Sequence, residues 1–148
     1  MRTNHFFLIS ILFVSTIIFY SFKQTAGNEQ WTESQLMAPH DLASIINDPK
    51  AQKPIVFSIG PRAIIKNSVD IGPANEEGNM QKLKQELSKL SKDANIVIYC
   101  GCCPFKDCPN IRPAFSLLNK MKFTQHKLLN LSKNIKVDWI DKGYPQNN

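Results

Sequence analysis

Apolar positions along this chain fall into two kinds of run, and the two kinds alternate. Ile55-Val56-Phe57-Ser58-Ile59 and Ile96-Val97-Ile98-Tyr99 are short and unbroken. They are rich in β-branched and aromatic residues and bounded by Pro54, Gly60-Pro61 and Asn95. That is the pattern of strands buried on both faces. Lys127 to Leu131 predicts a third strand, and Val69 with Ile71 a short extended piece before Gly72-Pro73. Between these lie runs with helical spacing. Pro39 and Asp41 suit the first turn of a helix through Leu42, Ile45 and Ile46. Met80, Leu83, Leu87 and Leu90 mark a second helix, and Ala114, Leu117, Leu118 and Met121 a third over 113–121. Glu76 to Gly78 reads as a turn, and 137–142 as a short helix closed by Gly143. Strands alternating with helices predict an α/β domain with a mainly parallel sheet. Ligands in such folds sit at the carboxyl ends of the strands.

Phe6 to Phe22 has a different character. It is 17 residues long, carries no charge, and is flanked by Arg2 and Lys23. A positive start followed by an apolar core is the pattern of an export signal, and the length borders on that of a membrane-spanning helix. Residues 1–26 are therefore expected to be a signal peptide or N-terminal membrane anchor, 27–33 a linker and 34–146 the folded domain. Both readings of the first segment place the domain outside the cytoplasm, periplasmic or anchored through that segment and facing the extracytoplasmic side.

Composition and charge narrow the partners. The chain has 148 residues, 43% of them hydrophobic and 20% charged, which suits one globular domain rather than a disordered chain. The formal net charge is +6, but the lysines are dispersed and form no basic run. Nucleic acid is therefore not the expected partner. A small anionic substrate is compatible with the charge.

The four cysteines, Cys100, Cys102, Cys103 and Cys108, all fall in one nine-residue stretch. Stabilising disulfides join distant segments, and these could close only very small loops. The cluster therefore points to chemistry or to metal binding. Cys100 directly follows the clearest strand, and a helix is expected to begin near Asn110 to Pro113. A loop folded back over that helix start would aim backbone N–H groups and the helix dipole at the sulfur, with Arg112 adding positive charge. Both effects favour the nucleophilic thiolate. The alternative for Cys100 is a small hydrophobe buried at a strand end. Lys106 and Asp107, inside the loop, would act on the thiolate in opposite senses. Cys100-Gly101-Cys102-Cys103 also contains the spacing of a thiol–disulfide redox motif. Four thiolates could hold Zn(II) or Cu(I), although the spacing is too compact for the usual two-pair zinc site. His40 and His126 are expected at the surface or at element ends, and Trp139 and Tyr144 in packing.

A buried strand, a cysteine, a loop, and then an arginine opening an alanine-containing helix resembles the rhodanese domain family. Val69-Asp70-Ile71-Gly72-Pro73-Ala74 is similar to the family's stretch before the central helix. Asp138-Trp139 through Lys142-Gly143-Tyr144-Pro145 is similar to its closing segment. The resemblance implies a three-layer fold and a sulfurtransferase that needs no cofactor or metal. Cys100 would carry sulfane sulfur as a persulfide, and Arg112 would end the active loop. Gly101 and Lys106 would belong to the substrate-binding loop; Cys102, Cys103 and Cys108 depart from the family's loop and are expected, on their proximity to Cys100 in the sequence, to be resolving or auxiliary thiols. The partners implied are a small sulfur-containing anion as donor and a thiol or cyanide as acceptor. One departure is the distance from Cys100 to Arg112, which is longer than the family's loop. That leaves a non-catalytic rhodanese-like binding domain as a further alternative.

Overall fold

A computed structural model describes residues 31–147. The apolar segment assigned to 1–26 lies outside the described residues, as does most of the linker. No helix among the described residues is long and apolar enough to cross a membrane.

Five strands, β1 (Leu36–Met37), β2 (Ile55–Ser58), β3 (Val69–Asp70), β4 (Ile96–Tyr99) and β5 (His126–Leu129), form one sheet in the order β1-β5-β4-β2-β3. Every neighbouring pair is parallel. The best apolar run, β4, is central, flanked by β2 through Phe57 opposite Ile98 and by β5 through Leu128 opposite Ile98. A central strand in a parallel sheet is covered on both faces, and all four residues of β4 are buried.

The helices are α1 (Pro39–Asn47), α2 (Glu77–Ser88), α3 (Ile111–Lys120) and α4 (Ile135–Asp138). Alternation along the strands divides the core between them. Ile96, Ile98, Phe57 and Leu128 pack in one cluster with Leu83 and Leu87 of α2 and Ala114, Phe115 and Leu118 of α3. Val97, Tyr99, Val56 and Leu129 pack in a second cluster with Leu42 and Ala43 of α1 and with Trp139 just after α4. The result is helices on each face of a parallel sheet.

Several boundaries differ from the sequence expectation. Glu76 to Gly78 is not a free turn, because Glu77 and Gly78 open α2. Glu77 favours the positive end of the helix dipole, and the Asn79 amide donates to the Pro73 carbonyl and the Glu76 carboxylate. Helix α3 starts at Ile111, two residues before the predicted start, with Pro113 in its first turn, where no backbone N–H is required. The closing helix splits into α4 and a 3₁₀ turn, Ile140–Lys142. Asn134 caps α4 by accepting from the Val137 N–H at 3.0 Å. Strand β1 was not legible, since two residues carry no periodicity. Trp31, within the stretch expected to be linker, is buried against Phe105 and Phe115 at ring separations of 5.9 and 5.8 Å.

His126 is also not where it was expected. It lies in β5, 4% exposed, with Nδ1 3.0 Å from the Phe123 carbonyl and its ring 4.7 Å from that of Phe115. Burial lowers its pKa, so it packs as a neutral ring. His40 is exposed beside Asp41, and Trp139 and Tyr144 pack edge to face at 5.2 Å.

Leu87 is fully buried where α2 meets the sheet. Leu87→Ala is expected to lower unfolding free energy by about 2–5 kcal/mol. A urea denaturation midpoint unchanged from wild type would contradict this packing.

Candidate functional site

Cys100 follows β4, and its position comes from the pleat. Ile96, Ile98 and Cys100 fall on the face covered by α2 and α3. Backbone bonds hold the turn on both sides. The Tyr99 carbonyl accepts from the Ile59 N–H at 2.9 Å, and the Gly101 carbonyl accepts from the Ile135 N–H at 2.9 Å. The Tyr99 hydroxyl accepts from the Ile65 N–H at 3.2 Å.

Two glycines leave room for this turn. A Cβ on Gly60 would collide with the Cys100 carbonyl and stand 2.9 Å from its Sγ. Gly101 has φ +87°, a conformation that costs other residues energy, and a Cβ there would lie 2.9 Å from the Ile135 Cβ. Gly101 therefore shapes the loop by having no side chain.

The loop then leaves the sheet and returns. Its 3₁₀ turn, Phe105–Asp107, is anchored by buried Phe105, whose N–H donates to the Leu131 carbonyl at 3.1 Å. The return brings Cys108, fully buried, and Asn110, 5% exposed, against Cys100. The Sγ atoms of Cys100 and Cys102 are 3.2 Å apart, those of Cys102 and Cys103 3.2 Å, and those of Cys102 and Cys108 3.9 Å. Asn110 precedes α3 yet makes no side-chain cap to it. Its Nδ2 donates to Cys100 Sγ at 3.2 Å, while its Oδ1 accepts from the Asn75 N–H at 3.0 Å. The second bond orients the amide for the first.

These donors place one negative charge on Cys100. Its pKa is lowered to about 5, first by the hydrogen bond from the Cys108 thiol, then by the Cys102 N–H, the Asn110 amide and the Cys102 thiol, against the opposing effect of burial. Cys102 is raised to about 12, by burial first and then by the neighbouring thiols. Cys108 is raised too, chiefly because its proton is shared with Cys100. At neutral pH Cys100 is a thiolate ringed by donors.

The structure brings Cys100, Gly101, Cys102, Cys103 and Cys108 together, and it places the Arg112 and Lys106 side chains against aromatic rings. The Arg112 guanidinium lies over the Trp31 ring, its carbon 5.6 Å from the centroid. The Lys106 ammonium is 5.8 Å from the Phe105 centroid. Neither lines the cleft beside Cys100, which has a volume of about 410 Å³. Cys100, Gly101 and Cys102 line that cleft together with apolar Pro61, Ile64, Ile135 and Ile140 and cationic Arg62 and Lys136. Asn110 was legible only as a helix start. Ile135 and Lys136 gave no sequence signal as cleft residues, because their approach depends on the Gly101–Ile135 bond.

Metal binding is also within the reach of these side chains. The sulfurs of Cys100, Cys102 and Cys108 all lie within 4.8 Å of one another, a spacing that one soft cation could span at about 2.3 Å per thiolate bond.

No protein-family model matches the chain, and neither the curated proteins nor the solved structures contain a match.

Alkylation of Cys100 by iodoacetamide is expected to be half-maximal near pH 5 and flat through neutrality. Protonation removes the nucleophile, so the rate falls only below that midpoint, whereas an ordinary thiol, with pKa ~8.5, still gains reactivity above pH 7. Asn110→Ala removes a hydrogen bond to a charged sulfur worth about 1.5–3 kcal/mol. It should move the midpoint up by about 1–2 pH units. Peptide-resolved labelling across pH reads both, and a wild-type midpoint above 8 would refute the assignment of the charge.

Proposed function

We propose that the described domain is a rhodanese-like sulfurtransferase, exported to the extracytoplasmic side, that carries sulfane sulfur as a persulfide on Cys100. The observation that carries this reading is a buried cysteine at the carboxyl end of the central strand, with Asn110 and neighbouring thiols directed at its sulfur and a cleft beside it. The parallel sheet with helices on both faces is consistent with the fold that the resemblance implies. Fold alone does not assign chemistry, so the argument rests on the site.

In the first step the Cys100 thiolate attacks the outer sulfur of a sulfane donor. A new S–S bond forms to Cys100, the donor's S–S bond breaks, and the leaving group departs as an anion: sulfite when the donor is thiosulfate. No proton is transferred. The negative charge moves to the outer sulfur of the persulfide, and donors already in place around Cys100 need little rearrangement to follow it.

In the second step Cys102 resolves the persulfide, its sulfur lying 3.2 Å from Cys100 Sγ. It attacks Cys100 Sγ and breaks the bond to the outer sulfur. The Cys102 proton goes to that sulfur, which leaves as hydrosulfide, and a Cys100–Cys102 disulfide remains. The donor is thereby reduced and the two cysteines oxidised. Cys102 is exposed, where an external thiol can reduce the disulfide. Arg112 contributes by packing on Trp31, whose ring in turn packs on Phe105 of the loop.

Reduced protein treated with inorganic polysulfide or thiosulfate and analysed by peptide mass spectrometry is expected to carry one added sulfur on Cys100, followed by sulfide release. Cys100→Ser should abolish both. Cys102→Ser should retain the persulfide and release no sulfide. A Cys100–Cys102 disulfide that cycles with oxidants while no donor loads sulfur would replace this reading with that of a thiol–disulfide redox protein.

A further inference from the structure

We infer that Cys100, Cys102 and Cys108 together form a three-coordinate site for Cu(I). The inference stands on the arrangement of the sulfurs and does not require the sulfur-transfer reading.

The three sulfurs all lie within 4.8 Å of one another. Cys102 Sγ is 3.2 Å from that of Cys100 and 3.9 Å from that of Cys108. A cation in the plane of three thiolates, bonded to each at about 2.3 Å, holds them about 4.0 Å apart. The triangle is therefore close to the size a metal sets, and a shift of Cys102 by about 1 Å completes it. The two buried ligands are already fixed. Cys100 is 3% exposed and leaves the end of β4, while Cys108 is 0% exposed, its N–H donating to the Phe105 carbonyl and its carbonyl accepting from the Ile111 N–H. Ligands held in place by the surrounding backbone need little ordering when the ion arrives. Cys102 is the exposed thiol, where an ion enters from solvent.

The kind and number of ligands choose the ion. Among the described residues no histidine or carboxylate belongs to the group. Asn110 adds no ligand, since its Oδ1 accepts from the Asn75 N–H and its Nδ2 donates to Cys100 Sγ. Its amide is instead an outer-shell partner that orients a ligating sulfur. Soft thiolates select Cu(I) or Zn(II), and structural Zn(II) takes four protein ligands in a tetrahedron. Cys103 lies 3.2 Å from Cys102 but outside the group of three. Three sulfurs with no fourth ligand match Cu(I). Arg62 and Lys136, in the lining of the adjoining cleft, have the sign of charge that offsets three thiolates around a monovalent ion.

Binding changes no oxidation state. Three Cu–S bonds form, and the thiol protons displaced pass to water. The ion also occupies the Cys100 sulfur, so the loaded protein has no free nucleophile there.

The test titrates reduced, anaerobic protein with Cu(I) against bathocuproine disulfonate, a coloured Cu(I) chelator. One Cu(I) per chain is expected to leave the chelator, and X-ray absorption should show three sulfurs around copper and no nitrogen or oxygen. Cys102→Ser and Cys108→Ser should each weaken binding by about 100-fold or more, beyond the roughly tenfold expected for Asn110→Ala, an outer-shell change. Cys103→Ser should leave binding within a factor of about two, since it removes no ligand. Cys102 is exposed, so its variant reads the site even if Cys108→Ser fails to fold. Copper-loaded protein should resist iodoacetamide at Cys100. Copper left with the chelator, four sulfurs around the ion, or equal losses in Cys103→Ser and Cys102→Ser would overturn the inference. Protein that loads sulfur from a donor but takes no Cu(I) would overturn it and leave sulfur transfer standing. Protein that binds Cu(I) through these three thiols and never loads sulfur would uphold it and overturn sulfur transfer.

Discussion

A sulfur anion held inside a protein must be given hydrogen bonds in place of the water it has lost. Cys100 is 3% exposed, so its charge persists only while the loop keeps donors against it. Those donors come from separate places in the chain: the Cys102 backbone just after the strand, and Cys108 and Asn110 where the loop returns. Asn110 in turn depends on Asn75, in the connection before α2. The site is thus an electrostatic tie between β4, the cysteine loop, α3 and the segment after β3. Removing one donor leaves the rest of the network in place but less adequate to the charge.

That tie also explains why the cysteines differ in character although they are close neighbours. Four thiols in one small volume cannot all ionise, because each additional charge would meet the first at a few ångströms. The charge goes to the sulfur with the most donors. Cys102 and Cys108 then keep their protons as donors to it, and burial reinforces this for both. Cys102 is the exposed member, in contact with Cys100 on one side and Cys103 on the other. One anion, one exposed partner thiol and one buried donor is a division of labour set by position, not by residue type.

The sheet supplies the rigidity that the loop needs. β4 is paired on both edges and covered on both faces, so Cys100 starts from a backbone with little freedom. Gly60 and Gly101 then let β2 and α4 approach the turn more closely than a side chain would permit. The same approach builds the cleft wall from Ile64, Ile135 and Ile140. Loop chemistry and cleft shape are therefore consequences of a single close packing around the end of β4.

Local sequence determined what depends on local physics. The β-branched run of β4, the helical spacing of Leu83 and Leu87, and the crowding of four cysteines after a strand were all legible, because period, propensity and spacing act between near neighbours. With them came the α/β class and Cys100 as the candidate thiol. Tertiary structure alone decided the rest. The two-residue β1 exists only because β5 offers it an edge, and His126 is buried only because Phe115 packs on it. Asn110 serves a sulfur rather than its own helix because Asn75 orients its amide. Arg112, in the first turn of α3, lies over Trp31, a partner about eighty residues away that the sequence around Arg112 does not indicate. Side-chain direction at a loop–helix junction is set by contacts between segments far apart in the chain, and no local pattern encodes them.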